Sequence, residues 1–277
     1  MRDRHSASAP RCAPVIWLDG PCEESPGVSF SIATLVTDPA AHAEMRASFE
    51  AHGFADPDCE YLSIDNTGPE QTCAYKGLNA ALAAARGTYV ILCHQDVRLL
   101  ADDRSTLEAR LSELSVLDPN WALAGNAGGI APGRLAIRIT DPHGADQRTA
   151  ELPARVVSLD ENFFVVRRAA RAGFSVDLSG FHFYGADICL NAAQAGYSAY
   201  VIDFHLAHLS GGTKSESFYE AEAAFRAKWS RALSPRWIQT TCALVRLSGD
   251  PIGNFAGRLA GQPFAAIVRR LSRTRGI

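Results

Sequence analysis

The chain lacks any apolar run near the ~20 residues that a membrane-spanning helix requires, and Met1 to Pro14 lacks the apolar segment of a secretory signal. A soluble or peripheral protein is expected. Its seven cysteines are odd in number and irregular in spacing, which argues against a disulfide framework and fits a reducing, cytoplasmic compartment. No Gly-x-x-x-x-Gly-Lys-[Ser/Thr] loop is present, and no Gly-x-Gly-x-x-Gly follows the first strand. A P-loop nucleotide hydrolase is therefore disfavoured, and any phosphate is left to be held by a metal. The basic field that recruits nucleic acid is missing as well, because the net charge is -3. Acidic residues are absent after Asp250, where Arg258, Arg269, Arg270, Arg273 and Arg275 accumulate. That tail reads as a solvated basic extension or as a surface for peripheral contact with an anionic membrane.

What is present is ordinary for a globular enzyme: 277 residues, 47% of them apolar and 21% charged, enough for one large domain or two small ones. Phe30 to Val36 is a β-rich run stopped by Thr37-Asp38-Pro39, and apolar positions then recur at helical spacing from Ala40 to Phe54. Glu60 to Ile64 is a second strand, Thr72 to Arg86 a second helix closed by Gly87, and Thr88 to Cys93 a third strand. This β-α-β-α-β succession predicts an α/β fold with a mostly parallel, doubly wound central sheet flanked by helices. Later segments read as a helix over Leu107 to Leu117 and as strands over Trp121 to Ala124, Val156 to Leu159, Asn162 to Val166 and Ala199 to Phe204. Two more helices are read over Asp187 to Ala195 and Glu216 to Trp229, and Ala131 to Pro153 as an exposed hairpin or a mobile loop.

Ligands bind open α/β sheets at the carboxyl ends of their strands. The three strands deliver Thr37, then Asp65 and Asn66, then His94-Gln95-Asp96 to that edge. Asp96 suits Mg²⁺ or Mn²⁺, which bind through one or two carboxylates while substrate phosphates complete the shell; an aspartate there also caps helices and turns. Asp65-Asn66 is read either as an Asx turn or as a contact to a base or ribose. Lys76 is a phosphate partner or a solvated lysine. Gly180-Phe181-His182-Phe183-Tyr184-Gly185-Ala186-Asp187 ends in a carboxylate that opens a helix, either as its cap or as a general base. His205 and His208 fall on opposite sides of an extended segment, so one of them is structural. His208, which precedes Ser210-Gly211-Gly212, is the better ligand because glycines permit close approach. No Cys pair or His-Glu-x-x-His completes a zinc spacing.

From about Phe30 to Trp229 the chain resembles a family-2 glycosyltransferase of the GT-A fold, most closely the subgroup named after a streptomycin-biosynthesis domain. The resemblance rests on Asn79 within Lys-Gly-Leu-Asn-Ala-Ala-Leu, the strand into His94-Gln95-Asp96, Gly180 to Tyr184, Asp187, and His208-Leu209-Ser210-Gly211-Gly212. It implies that Thr37 and Asp65 contact the nucleotide base, with Asn66, Lys76, Asn79 and Gln95 in the same donor site. It implies that Asp96 is the last acid of the metal-binding Asp-x-Asp motif, helped by His94 and His208, and that Asp187 is the catalytic base. His94 stands where the motif has its first Asp, and Ala186 where the catalytic pair has its first acid.

The implied domains are an arm over 1–27, a GT-A domain over 28–232 and a basic extension over 233–277. The GT-A domain divides into a nucleotide-sugar half, 28–129, and an acceptor half, 130–232. The implied activity is inverting transfer from a nucleotide-diphosphate sugar, UDP-sugar favoured, to a glycan or other hydroxyl acceptor, with Mn²⁺ or Mg²⁺. The competing expectations are a sugar-phosphate nucleotidyltransferase and a degenerate nucleotide- or glycan-binding module.

Overall fold

The structure, a computed structural model, describes residues 28–55, 57–212, 215–239 and 244–250, with 252, 253, 255 and 259. The arm over 1–27 and the five arginines beyond Asp250 lie outside the described residues.

The first strand, β1 (Phe30–Val36), is buried along nearly its whole length. It stops where Asp38 turns the chain into α1 (Pro39–Ala51). The Asp38 carboxylate accepts hydrogen bonds from the Ala40 and Ala41 N–H groups at 2.9 and 3.2 Å, and Pro39 takes the first turn, where no N–H is needed. The edge strand β2 (Cys59–Asp65), α2 (Ala74–Ala84) and β3 (Tyr89–Cys93) follow as expected. The alternation of β3 sends Val90 and Leu92 to the core under α2, and Ile91 and Cys93 to the core under α1.

Next come β4 (Val97–Leu99), α3 (Arg104–Leu117), β5 (Trp121–Gly125), β6 (Ala127–Ala131), β7 (Arg134–Asp141) and β8 (Gly144–Arg148). The hairpin expected within 131–153 is thus the β7–β8 pair. The chain continues through β9 (Ala154–Val156), β10 (Ser158–Leu159), β11 (Phe163–Arg167), α4 (Tyr184–Gln194), β12 (Ser198–Val201), β13 (Leu206–His208) and α5 (Glu216–Leu233). It ends in a hairpin of β14 (Arg236–Gln239) and β15 (Leu244–Leu247).

The central sheet has the order β2-β1-β3-β11-β5-β12-β9. It is mixed rather than mostly parallel. The pairs β2–β1, β1–β3 and β5–β12 are parallel, but β11 runs antiparallel to both β3 and β5, and β9 antiparallel to β12. The physical cause is that β11 enters from the edge where β3 ends, pairing Phe163 with Cys93.

A second sheet, β10-β6-β7-β13-β4, crosses that edge. Its strands β4 and β13 are three residues each, too short for periodicity to announce. The segment read as one strand to Phe204 breaks after Val201, and β13 resumes beside β4 with His208 opposite Val97. Among the described residues no helix is long and apolar enough to cross a membrane.

Candidate functional site

The turn after β3 is held from three directions. The His94 N–H donates to the Asn162 carbonyl at 2.9 Å, so the start of β11 fixes it. Gln95 clamps the end of β1: its Oε1 accepts the Thr37 and Asp38 N–H groups, both at 2.9 Å, and its Nε2 donates to Thr37 Oγ1 at 2.8 Å. The Leu209 N–H donates to the Asp96 carbonyl at 3.1 Å, bringing the end of β13 alongside.

These constraints gather His94, Asp96 and His208, whose ligand atoms all lie within 4.8 Å of one another. His208 Nε2 stands 3.4 Å from Asp96 Oδ1, 3.4 Å from His94 Nδ1 and 3.2 Å from Ser210 Oγ. Burial alone raises the Asp96 carboxyl, but hydrogen bonds from His208 and Ser210 and the two imidazoles outweigh it and leave the group well below the usual carboxylate range. Burial and the neighbouring His208 lower His94. For His208 burial works the same way, but its bond to Asp96 prevails and raises it.

The hydrogen-bond network also assigns a tautomer to His94. Tyr184 donates its hydroxyl hydrogen to the Glu161 carbonyl at 3.2 Å, so it accepts from His94 Nε2 at 2.9 Å. That leaves the lone pair of His94 on Nδ1, toward His208 and Asp96. A neutral imidazole oriented from behind, an ionised carboxylate and a second imidazole form a donor set that fits a divalent cation. Two nitrogens and one oxygen suit Mn²⁺ better than Mg²⁺, which prefers oxygen.

The triad faces two cavities. The first, of about 420 Å³, includes Thr37, Asn66, Gln95 and Asp96 in its wall. The second, of about 640 Å³, has an aromatic side of Phe181, Phe183 and Phe218 and a polar side that includes Asp141, Asp160 and Asn162. His94, Glu161 and Phe181 belong to both walls. Among the described residues no lysine or arginine lines either one.

The other residues named from sequence are placed elsewhere. Asp187 is fully buried and receives hydrogen bonds from Ser175 N (2.8 Å), Ser175 Oγ (2.7 Å), Asn191 Nδ2 (3.1 Å) and Trp229 Nε1 (3.0 Å). Its lone pairs are occupied and it lines neither cavity; these bonds tie α4 to α5 and to the 175 segment. Asn79 exchanges two hydrogen bonds with the Phe174 backbone, both at 2.9 Å, and braces that segment instead of lining the donor cavity. Lys76 is exposed on α2, outside both walls. Asp65 is exposed and forms an Asx turn, its Oδ1 accepting from Thr67 N and Oγ1 at 2.9 and 2.7 Å, bonds that hold its carboxyl below the usual range. Asn66 reaches the first cavity, but its amide is spent on the Thr72 backbone. His205 bonds Thr140 Oγ1 at 2.9 Å and is the structural histidine of the pair.

No family model matches the chain. It is 36% identical over 228 residues to the Fuscovulum blasticum protein named ATP synthase subunits region ORF 6, covering 79% of this chain and 91% of that protein. The chain belongs to that protein's family. Among solved structures, S. aureus TarS 1-349 in complex with UDP-GlcNAc aligns with a TM-score of 0.50 at 12% identity, over 75% of this chain and 67% of that one. The mannosyltransferase PcManGT from Pyrobaculum calidifontis, in complex with GDP-Man and Mn²⁺, aligns at 0.49 with 15% identity, over 77% and 67%. At such identities the likeness speaks for the fold, and that fold is GT-A.

Two residues of these walls were given no site role from sequence, Glu161 and Asn162, and Tyr184 was read only within its aromatic cluster. A signal existed, since Asp160-Glu161-Asn162 is a polar triplet abutting the apolar run Phe163 to Val166. It stands at the start of a strand, however, and only an antiparallel β11 brings a strand's start to the carboxyl edge of the sheet.

Proposed function

We propose that the chain is an inverting glycosyltransferase, in keeping with the family-2 resemblance. A nucleotide-diphosphate sugar occupies the first cavity and the acceptor hydroxyl enters from the second. The observation that carries this reading is the convergence of His94, Asp96 and His208 where two cavities meet at the ligand-binding edge of a GT-A sheet, His94 and Asp96 in the wall of the first and His94 and His208 in that of the second. A diphosphate needs positive charge; among the described residues no lysine or arginine lines the wall, and a cation on those three groups would supply it. When bound, that cation supplies charge stabilisation for the departing diphosphate.

The protein's own residues do the rest. Gln95 pre-shapes the end of β1 so that Thr37 presents its hydroxyl and backbone at the cavity mouth, and Tyr184 holds the His94 ring in one orientation. Among the described residues the second cavity combines aromatic faces with Asp141, Asp160 and Glu161 and no basic chain longer than histidine. Such a lining suits a neutral or amine-bearing polyhydroxyl acceptor and repels a phosphorylated one.

UDP-, GDP- and dTDP-sugars with Mn²⁺ or Mg²⁺ test the reading by thermal shift and by nucleoside diphosphate release. UDP-sugars come first, after the UDP-GlcNAc held by TarS. Stabilisation and release with one nucleotide support it, since a ligand of the native state raises its melting temperature; neither effect with any donor would sink it. The enclosure of Asp187 favours one alternative, a binding module without turnover. Donor binding with no diphosphate release would establish that one. Consumption of a nucleoside triphosphate with a sugar phosphate, releasing pyrophosphate, would instead establish a nucleotidyltransferase.

A further inference from the structure

With Asp187 enclosed, the transfer lacks a group to take the acceptor's proton. Of the carboxylates in the two walls, Asp38 is held by the Ala40 and Ala41 N–H groups at 2.9 and 3.2 Å, and Asp96 is engaged with His208. Asp160 is held by the Asn162 N–H at 2.9 Å and by Asn162 Nδ2 at 2.5 Å. Asp141 is held by the His143 N–H at 2.8 Å and by Gln147 Nε2 at 2.7 Å. Glu161 differs. Among the described residues it is the one carboxylate that lines both cavities, and its hydrogen bonds come from backbone N–H groups opening α4, that of Gly185 at 3.2 Å. Gly185 makes this approach possible, because a Cβ there would stand 2.3 Å from the Leu159 carbonyl and 3.2 Å from Glu161 Cγ. The neighbouring Asn162 is 1% exposed and belongs to the wall of the second cavity; its buried Oδ1 has no hydrogen-bond partner, although its Nδ2 is anchored on Asp160. A buried acceptor left open beside a carboxylate calls for a ligand that donates hydrogens.

We propose that Glu161 is the catalytic base: it removes the proton of the acceptor hydroxyl in the second cavity, while a second hydroxyl or an amine of the acceptor donates to Asn162 Oδ1. The inference rests on the transferase reading above. The acceptor oxygen forms a bond to the anomeric carbon, the bond from that carbon to the phosphate oxygen breaks, and the nucleoside diphosphate leaves with the electron pair. The proton ends on Glu161 and passes to solvent after product leaves. Burial pushes the Glu161 carboxyl up to about 8, against the pull of the Gly185 N–H. That range suits a base that works near neutral pH.

Water can replace the unidentified acceptor, so the test is nucleoside diphosphate release from UDP-, GDP- and dTDP-sugars with Mn²⁺ by the full chain, Glu161→Gln and Glu161→Ala. The expected result for Glu161→Gln is a fall in release on the order of 100-fold or more, with donor affinity by calorimetry unchanged. Sodium formate should restore release in Glu161→Ala, which a merely structural glutamate would not allow. Undiminished release by Glu161→Gln, or no rescue by formate, overturns the base assignment. If Glu161→Gln does not fold, Glu161→Asp takes its place: it keeps a carboxyl but withdraws it, and release equal to the unaltered chain overturns the assignment. Release from no donor by the unaltered chain overturns the transferase reading, and this inference with it.

Discussion

Asp187 receives four hydrogen bonds in a fully enclosed site, from a backbone N–H, a hydroxyl, an amide and an indole. Asp96 keeps 25% of its side chain open and meets two imidazoles and a hydroxyl. The difference lies in what the partners can surrender. A cation can take the place of a proton on an imidazole, and metal binding releases such protons. It cannot take the place of a backbone or indole N–H. A carboxylate wrapped by permanent donors therefore joins elements together, whereas one wrapped by titratable donors is poised to exchange them for a ligand.

The largest effect that tests this contrast is on stability. Asp187→Asn turns an acceptor-only group into one that opposes its own donors, and should cost about 3 kcal/mol in urea unfolding, the range for breaking a buried charged network. Asp96→Asn should cost less, because its side chain is a quarter open and its imidazole and hydroxyl partners can turn to water. If the two variants unfolded alike, the contrast would fail. On the other side, Asp96→Asn should weaken Mn²⁺ binding by at least ~100-fold in calorimetric titration, while a folded Asp187→Asn protein keeps its affinity.

Next in size is pH. Because Asp96 raises His208 above its ordinary value, protons compete with the metal below that raised value. Mn²⁺ affinity should fall about tenfold for each pH unit there, and His208→Ala should remove the dependence along with most of the affinity. Tyr184→Phe is subtler. It deletes the hydroxyl that sets the His94 tautomer and should cost about tenfold in metal affinity, the low end for an outer-shell partner.

A separate effect on stability concerns Glu161, whose carboxyl sits near 8 in the fold against an ordinary 4.5. Between those values the folded chain retains a proton that the unfolded chain has lost, so its stability falls as pH rises through that window. Glu161→Gln should gain relative to the unaltered chain across the same window, and the difference should vanish below about pH 4.5. Melting curves in metal-free buffer at several pH values check it; a loss of stability by the unaltered chain relative to Glu161→Gln on acidification from pH 8 would reverse the sign and refute the burial argument.

Much of this was legible from local pattern. The β-α-β-α-β opening follows from period and punctuation, since Asp38-Pro39 ends a strand and Gly87 follows the end of α2 at Ala84. His94-Gln95-Asp96 stood out because a polar triplet after a buried run marks the edge where such sheets bind ligands. The enclosure of Asp187 was not legible, because a carboxylate at a helix start looks alike whether it faces solvent or Trp229. Its surroundings come from α5, more than 40 residues away along the chain.

The sequence by itself determined the parallel opening of the sheet, the strand end that carries Asp96, and the suitability of His208 as its partner. Those features depend on neighbours within a few residues, and local periodicity and turn chemistry report them. Only the tertiary structure decided that β11 runs antiparallel, so that Glu161 and Asn162 reach the sheet's ligand-binding edge, and that Asp187 is sealed off from it. Strand direction and burial are set by long-range packing of the two cores, and no local pattern encodes which partners that packing supplies.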